Sequence, residues 1–190
     1  MVARNGAGFW TQEGRHTVTP PLRALRTWPA AGAALLIAAL GAVSLARPRP
    51  LLIWNASASV QTGLYLVTAI GNPARGERAA ARLPAPWRAL AARRHYLPAN
   101  VPLIKRIAAI PGDMACASDD RITVNGDVAA LRLRRDGAGR PMPAWHGCHR
   151  LGAGDVLLLA AHPASFDGRY FGLSQRRDIL GKAHLIWLHP

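Results

Sequence analysis

Val101-Pro102-Leu103-Ile104-Lys105-Arg106-Ile107-Ala108-Ala109-Ile110-Pro111-Gly112-Asp113 is an apolar run interrupted by two adjacent cations and closed by turn residues. Aliphatic side chains bounded by proline and glycine predict a strand over 103–110. Alternation sets Lys105 on the face of Val101, Leu103, Ile107 and Ala109, and Arg106 on the other with Ile104, Ala108 and Ile110. An ammonium on a buried face is costly, and a desolvated lysine lowers its pKa instead. Arginine has no such escape, because it stays charged. The chain has 24 basic residues, of which only Lys105 and Lys182 are lysines. Lys105 is therefore a candidate general base. Lys182, within Leu180-Gly181-Lys182-Ala183, reads as a solvated turn residue.

Outward from this run lie further short apolar stretches between turn residues. Leu64-Tyr65-Leu66-Val67 reads as a strand ended by Gly71-Asn72-Pro73. Ile122-Thr123-Val124 runs into Asn125-Gly126, a strong hairpin signal. Asp155 to Ala160 and Ala183 to Leu188 read as two more strands. Pro86 to Arg94, rich in Ala, Leu and Arg, is the one helical candidate. Without βαβ alternation, the fold class is mostly β, an antiparallel sheet.

The N-terminal quarter differs. Residues 29–46 carry no charge across 18 positions. At about 1.5 Å per residue such a helix approaches the roughly 30 Å of a bilayer core, although it is Ala-rich. Arg4, Arg15, Arg23 and Arg26 precede it, which by the positive-inside rule leaves the N-terminus in the cytoplasm. The expected organisation is a cytoplasmic tail over 1–28, a transmembrane anchor or signal segment over 29–46, and an exported domain over 47–190. Arg47-Pro48-Arg49-Pro50 reads as a stiff exit linker. Ser44-Leu45-Ala46 keeps a cleaved signal peptide open, and a buried core helix is the third reading.

Cys116 and Cys148 fall in the exported part, where a pair suggests one disulfide. Metal binding is the rival, because His146-Gly147-Cys148-His149 clusters donors, yet no metal-ligand spacing accompanies it. The net charge of +14 invites a nucleic-acid reading. That charge is dispersed arginine without a zinc-finger or RNA-binding signature, so no specific nucleic acid is expected. No cofactor is expected either.

Asn55-Ala56-Ser57-Ala58-Ser59-Val60-Gln61-Thr62-Gly63-Leu64-Tyr65 places two serines two apart among small residues. A serine hydroxyl is a poor nucleophile until a base takes its proton. Ser–Lys pairs are one variant of the serine-hydrolase theme. Alone, such serines usually satisfy turn hydrogen bonds.

Three stretches together resemble the type I signal peptidases, in particular the branch of conjugative transfer peptidases called TraF. Ser59-Val60-Gln61-Thr62-Gly63-Leu64-Tyr65 resembles the nucleophile box. Leu103 to Asp113 resembles the lysine box, and Ser165-Phe166-Asp167-Gly168-Arg169-Tyr170-Phe171-Gly172 is similar to the third box. The order is right, and the likeness runs from about residue 51 to 187. One departure is visible: Gln61 stands where the TraF-type box usually has proline.

The resemblance implies a membrane-anchored serine endopeptidase with a signal-peptidase-like β domain. Ser59 would be the nucleophile and Lys105 the general base. Ser57 would share an oxyanion hole with the Ser59 backbone N–H, and Ser165 would orient the lysine amine. Arg106, Asp167 and Arg169 would form a supporting charged cluster; an ordinary surface ion pair is the plain alternative for the last two. Tyr170 and Phe171 read as core. The implied partners are membrane lipid and an exported, prepilin-like precursor with small residues before the scissile bond. The implied location is the bacterial inner membrane, single-pass, with the catalytic domain in the periplasm. Some relatives are linked to cyclising the pilin. The rivals are a general type I signal peptidase, a non-catalytic periplasmic assembly factor and a DNA-contacting transfer protein.

Overall fold

The computed structural model describes residues 28–46 and 51–189. The expected tail and the Arg47–Pro50 linker lie outside them. Two compact units divide at Pro48/Arg49.

In the first unit, α1 (Trp28–Ala46) is a 19-residue helix. Its apolar side chains stand open, Leu35 and Ile37 about 70% exposed. Among the described residues no helix is long and apolar enough to cross a membrane. The segment expected as an anchor is helical over its described residues.

The second unit is built on antiparallel strands. Its strands are β1 (Leu52–Asn55), β2 (Gly63–Thr68), β3 (Arg78–Ala81), β4 (Leu103–Ala109), β5 (Met114–Ser118), β6 (Arg121–Val124), β7 (Asp127–Leu131), β8 (Gly147–Arg150), β9 (Asp155–Leu159), β10 (Ser174–Gln175) and β11 (Ile179–Leu188). Two helices interrupt them, α2 (Ala85–Arg93) and α3 (Gly168–Phe171). One sheet has the order β1-β2-β11-β3-β4-β9-β10, and the other β7-β6-β5-β8. α2 starts where Pro86 supplies a φ already suited to the first turn. The expected hairpin forms at Asn125-Gly126, both at positive φ (54° and 94°), joining β6 to β7 in the manner the strand twist favours.

Both faces of the larger sheet are covered. On one, Ala79, Leu103, Ile107 and Leu158 pack with Phe171 and with Ala91 of α2. On the other, Tyr65, Ile104 and Leu180 share a second cluster. Ala109, Leu157 and Leu159 pack with Ala115, Ala117 and Ile122 of the smaller sheet. Asp113 ties the sheets at the end of β4: its carboxylate accepts from Ile110 N at 2.9 Å, Asn125 Nδ2 at 3.1 Å and Arg75 Nε at 2.7 Å.

β4 lies between β3 and β9, with Lys105 in register with Ala79. Alternation holds at the two cations: Lys105 is buried and Arg106 exposed. Lys182 departs from its expected turn. It lies within β11 and forms an ion pair with Glu77, because the last strand begins at Ile179 and not at Ala183.

Candidate active site

Ser59 stands in the middle of the loop joining β1 to β2, residues 56–62. Its Oγ lies 2.6 Å from Lys105 Nζ, across 46 residues of sequence. Lys105 Nζ also donates to Ser165 Oγ at 2.8 Å. Ser57 Oγ donates to Ser59 Oγ at 2.9 Å and accepts from the Ser59 backbone N–H at 3.2 Å. The two-residue spacing makes this possible, because it folds a hydroxyl back onto the backbone N–H two positions on, as in a local turn.

Lys105 is 5% exposed. Burial pushes its amine down to about 8; the Asp167 carboxylate pulls the other way and Arg169 adds to the lowering. Below that value the ammonium donates to both serines. Above it the neutral amine offers a lone pair, and a serine hydroxyl can donate in its place. The site thus sets a potential proton acceptor directly against a hydroxyl.

Ser165 sits in the loop between β9 and α3. Its own N–H donates to His162 O at 3.1 Å. Asp167 and Arg169 brace this loop from below. They are 0% and 2% exposed, so they are no surface pair. Asp167 caps α3 by accepting from Arg169 N at 3.1 Å and holds Ala160 N at 2.9 Å. Arg169 Nη1 donates to Pro163 O at 3.0 Å and to Leu131 O at 2.9 Å on β7.

Arg106 corrects the expected cluster. It is exposed on the face of β4 opposite Lys105, its backbone paired with β3 and β9 and its side chain turned away from the cluster. Strand alternation carries it away from Asp167 and Arg169. Cys116 and Cys148, register partners on β5 and β8, are joined by a disulfide. The neighbouring histidines therefore have no thiolate to share. Tyr170 and Phe171 are buried.

Asn55 was not among the expected site residues. Its side chain makes four hydrogen bonds to the loop that carries Ser59. The signal was present: an asparagine closing an apolar strand before a serine-rich loop is placed to bond neighbouring backbone.

A cleft of about 480 Å³ opens on the site. Ser57, Ser59, Lys105 and Ser165 line it beside Leu103 and Ile104, with Tyr96 and Phe166 in the wall. The two rings stand 4.9 Å apart.

Fold and site together define a mostly antiparallel β protein with a buried lysine amine seated on a loop serine. The family model for signal peptidase, peptidase S26, matches residues 24–188, and the chain belongs to that family. Two plasmid transfer proteins TraF from Escherichia coli are similar to it. One is 40% identical over 81 residues, covering 40% of this chain and 46% of the relative. The other is 35% identical over 82 residues, covering 41% and 46%. The chain thus spans about half the length of these relatives. A signal peptidase I from Enterococcus faecalis, known from a crystal structure, is 19% identical, with 60% of this chain and 98% of that chain covered at a TM-score of 0.35.

Proposed function

We propose that this chain is a serine endopeptidase in which Ser59 and Lys105 form a catalytic dyad, and that it matures an exported precursor in a conjugative transfer system. The observation that carries the reading is the 2.6 Å contact between Lys105 Nζ and Ser59 Oγ. Burial supports it, because it lowers the amine to about 8, near enough to working pH for the neutral form to be reached.

In this reading the neutral amine takes the Ser59 hydroxyl proton as Oγ attacks the scissile carbonyl. The carbonyl oxygen gathers negative charge and is met by the Ser59 backbone N–H and the Ser57 hydroxyl. That hydroxyl turns from Ser59 Oγ toward the substrate. A donor of this kind lowers the barrier by about 3–4 kcal/mol. Lys105 then protonates the departing amine, leaving an acyl-enzyme on Ser59. Water resolves it with the amine again as base; the precursor's own amine would instead yield a cyclic product. Ser165 keeps Nζ directed at Ser59 throughout.

The conjugative role follows the TraF relatives and the third-box likeness, against a general signal peptidase. The substrate would present small residues before the scissile bond. Localisation belongs to the same proposal: the apolar helix α1, preceded by basic residues, associates with the inner membrane, and the β domain works in the periplasm. Retention of the chain in alkali-washed membranes, and its loss on deletion of 29–46, tests that part.

Complementation tests the dyad. A chain carrying Ser59→Ala or Lys105→Ala should leave the precursor unprocessed and transfer abolished. Lys105→Arg should fail equally, because it keeps the charge and cannot act as a base. Processing by any of the three sinks the dyad and favours a non-catalytic assembly role.

A further inference from the structure

Ser59 is carried by a seven-residue loop, 56–62, with neither strand nor helix to fix it. Ordering a loop costs backbone entropy at every residue, so something must hold Ser59 in place. Asn55 is the last residue of β1, in register with Gly63 across the mouth of the loop. Alternation turns it inward with Ile53, and it is only 9% exposed. Its Nδ2 donates to Ser57 O at 2.9 Å, Gln61 O at 3.0 Å and Val60 O at 3.3 Å. Its Oδ1 accepts from Ser57 N at 3.2 Å. One carboxamide therefore grips the loop before Ser59 and after it. The Tyr65 hydroxyl adds a second donor to Gln61 O, at 2.8 Å.

We infer that Asn55 is the positioning residue of the nucleophile loop, holding Ser59 Oγ on Lys105 Nζ and the Ser57 hydroxyl on the Ser59 backbone N–H. The inference rests on the dyad reading above. The chemistry of the carboxamide is what the position requires. The loop offers three carbonyls and one N–H, which call for a donor and an acceptor on one short planar group. Aspartate has the same shape but would face three carbonyl oxygens with a carboxylate. Glutamine adds a methylene in a place already filled. A nucleophile displaced by about 1 Å loses on the order of a hundredfold in rate.

The test uses the full chain in detergent micelles, a fluorogenic peptide with Ala-x-Ala before the scissile bond, and the variants Asn55→Ala and Asn55→Asp. Each should lower kcat at least thirtyfold with KM within threefold, because the substitution leaves the cleft walls at Tyr96, Phe166, Leu103 and Ile104 in place. Amide hydrogen exchange at Ser57 and Ser59 should quicken at least tenfold, while β2 keeps its wild-type protection. If Asn55 merely fills space, the isosteric Asn55→Asp will retain wild-type kcat, and that result overturns the inference. So does a loss confined to KM, or unchanged exchange at Ser57 and Ser59 in a folded variant. Exchange is read without turnover. A folded wild type that cleaves nothing therefore defeats the dyad reading, while quickened exchange would still support the positioning role.

Discussion

Asp167 and Arg169 form an ion pair, Nε to Oδ1 2.8 Å, at 0% and 2% exposure. All five guanidinium N–H groups have acceptors: Asp167 takes two bonds, and the carbonyls of Leu131, Pro163 and Ala160 take the rest. The pair joins β7 of the smaller sheet to the loop that presents Ser165. It works on the site through Ser165 and through its field on Lys105.

Removing one partner should be costly, because the other stays buried and uncompensated. Asp167→Ala should lower the unfolding free energy by about 3–5 kcal/mol, measured by urea denaturation. The double variant Asp167→Ala/Arg169→Met should recover part of that loss, since no bare charge remains. A double variant as unstable as the sum of the singles would show that the carbonyl bonds, not the ion pair, carry the stability.

Lys105 sets the pH dependence. Its folded value, about 8, lies below the ordinary 10.5. On the dyad proposed above, turnover needs the neutral amine, so kcat/KM should rise with pH through about 8 and level off above it. Stability follows the same group with a definite sign. Between the two values the unfolded chain holds a proton that the folded chain lacks, so the lysine's burial penalty is relieved as pH climbs through this window. At pH 7 the penalty is on the order of 3 kcal/mol. Lys105→Met should therefore stabilise the domain by about 1–3 kcal/mol near neutrality while abolishing cleavage. The gain falls short of the full penalty because Ser59 and Ser165 lose a partner. A destabilised Lys105→Met would mean that the amine is well accommodated.

Strand alternation reached Lys105 by itself, while its pairing with Ser59 and the places of Ser57 and Ser165 came from the three ordered stretches that resemble the family. Alternation in 101–110 put the lysine on a buried face, whereas two serines two apart read by themselves only as turn residues. Arg106 was carried into the cluster by the family likeness, although alternation sets it on the opposite face of β4 from Lys105, where the structure has it. Asn55 was harder to see, since its bonds reach up to six residues along a loop that takes its shape only when β1 pairs with β2. β11 inserts between β2 and β3, a pairing over more than a hundred residues that no local pattern encodes. Lys182 was misplaced for the same reason: its partner Glu77 is brought opposite only by that pairing.

The disulfide should matter to stability and not to turnover. It closes a separation of 32 residues, for which chain entropy gives about 3–4 kcal/mol. Cys148 lies on β8, an edge strand of the smaller sheet that is exposed throughout. Cys116→Ala/Cys148→Ala should thus lower the thermal midpoint, and kcat at 25 °C should stay within about twofold. Reductant should reproduce the shift in the wild type and leave the variant unmoved.

Gly63 closes the far side of the nucleophile loop. Its φ is +147°, and a Cβ there would meet Trp187 O at 2.1 Å. The close approach lets the end of β11 pair with Gly63 and Leu64 and lets His189 N reach Thr62 O at 3.1 Å. Gly63→Ala must push that strand end away, because the obstacle is backbone and cannot rotate aside. Strain of this kind costs about 1–3 kcal/mol, and the loop loses its anchor at Thr62, three residues after Ser59. Gly181→Ala is the control. Its Cβ would meet Thr68 O at 2.2 Å, at the other end of the same β2–β11 pairing. Both variants should unfold at lower temperature, but only Gly63→Ala should also lose kcat in the protein that remains folded. Equal losses of kcat in both would place the effect in the sheet as a whole and not in the loop that carries Ser59.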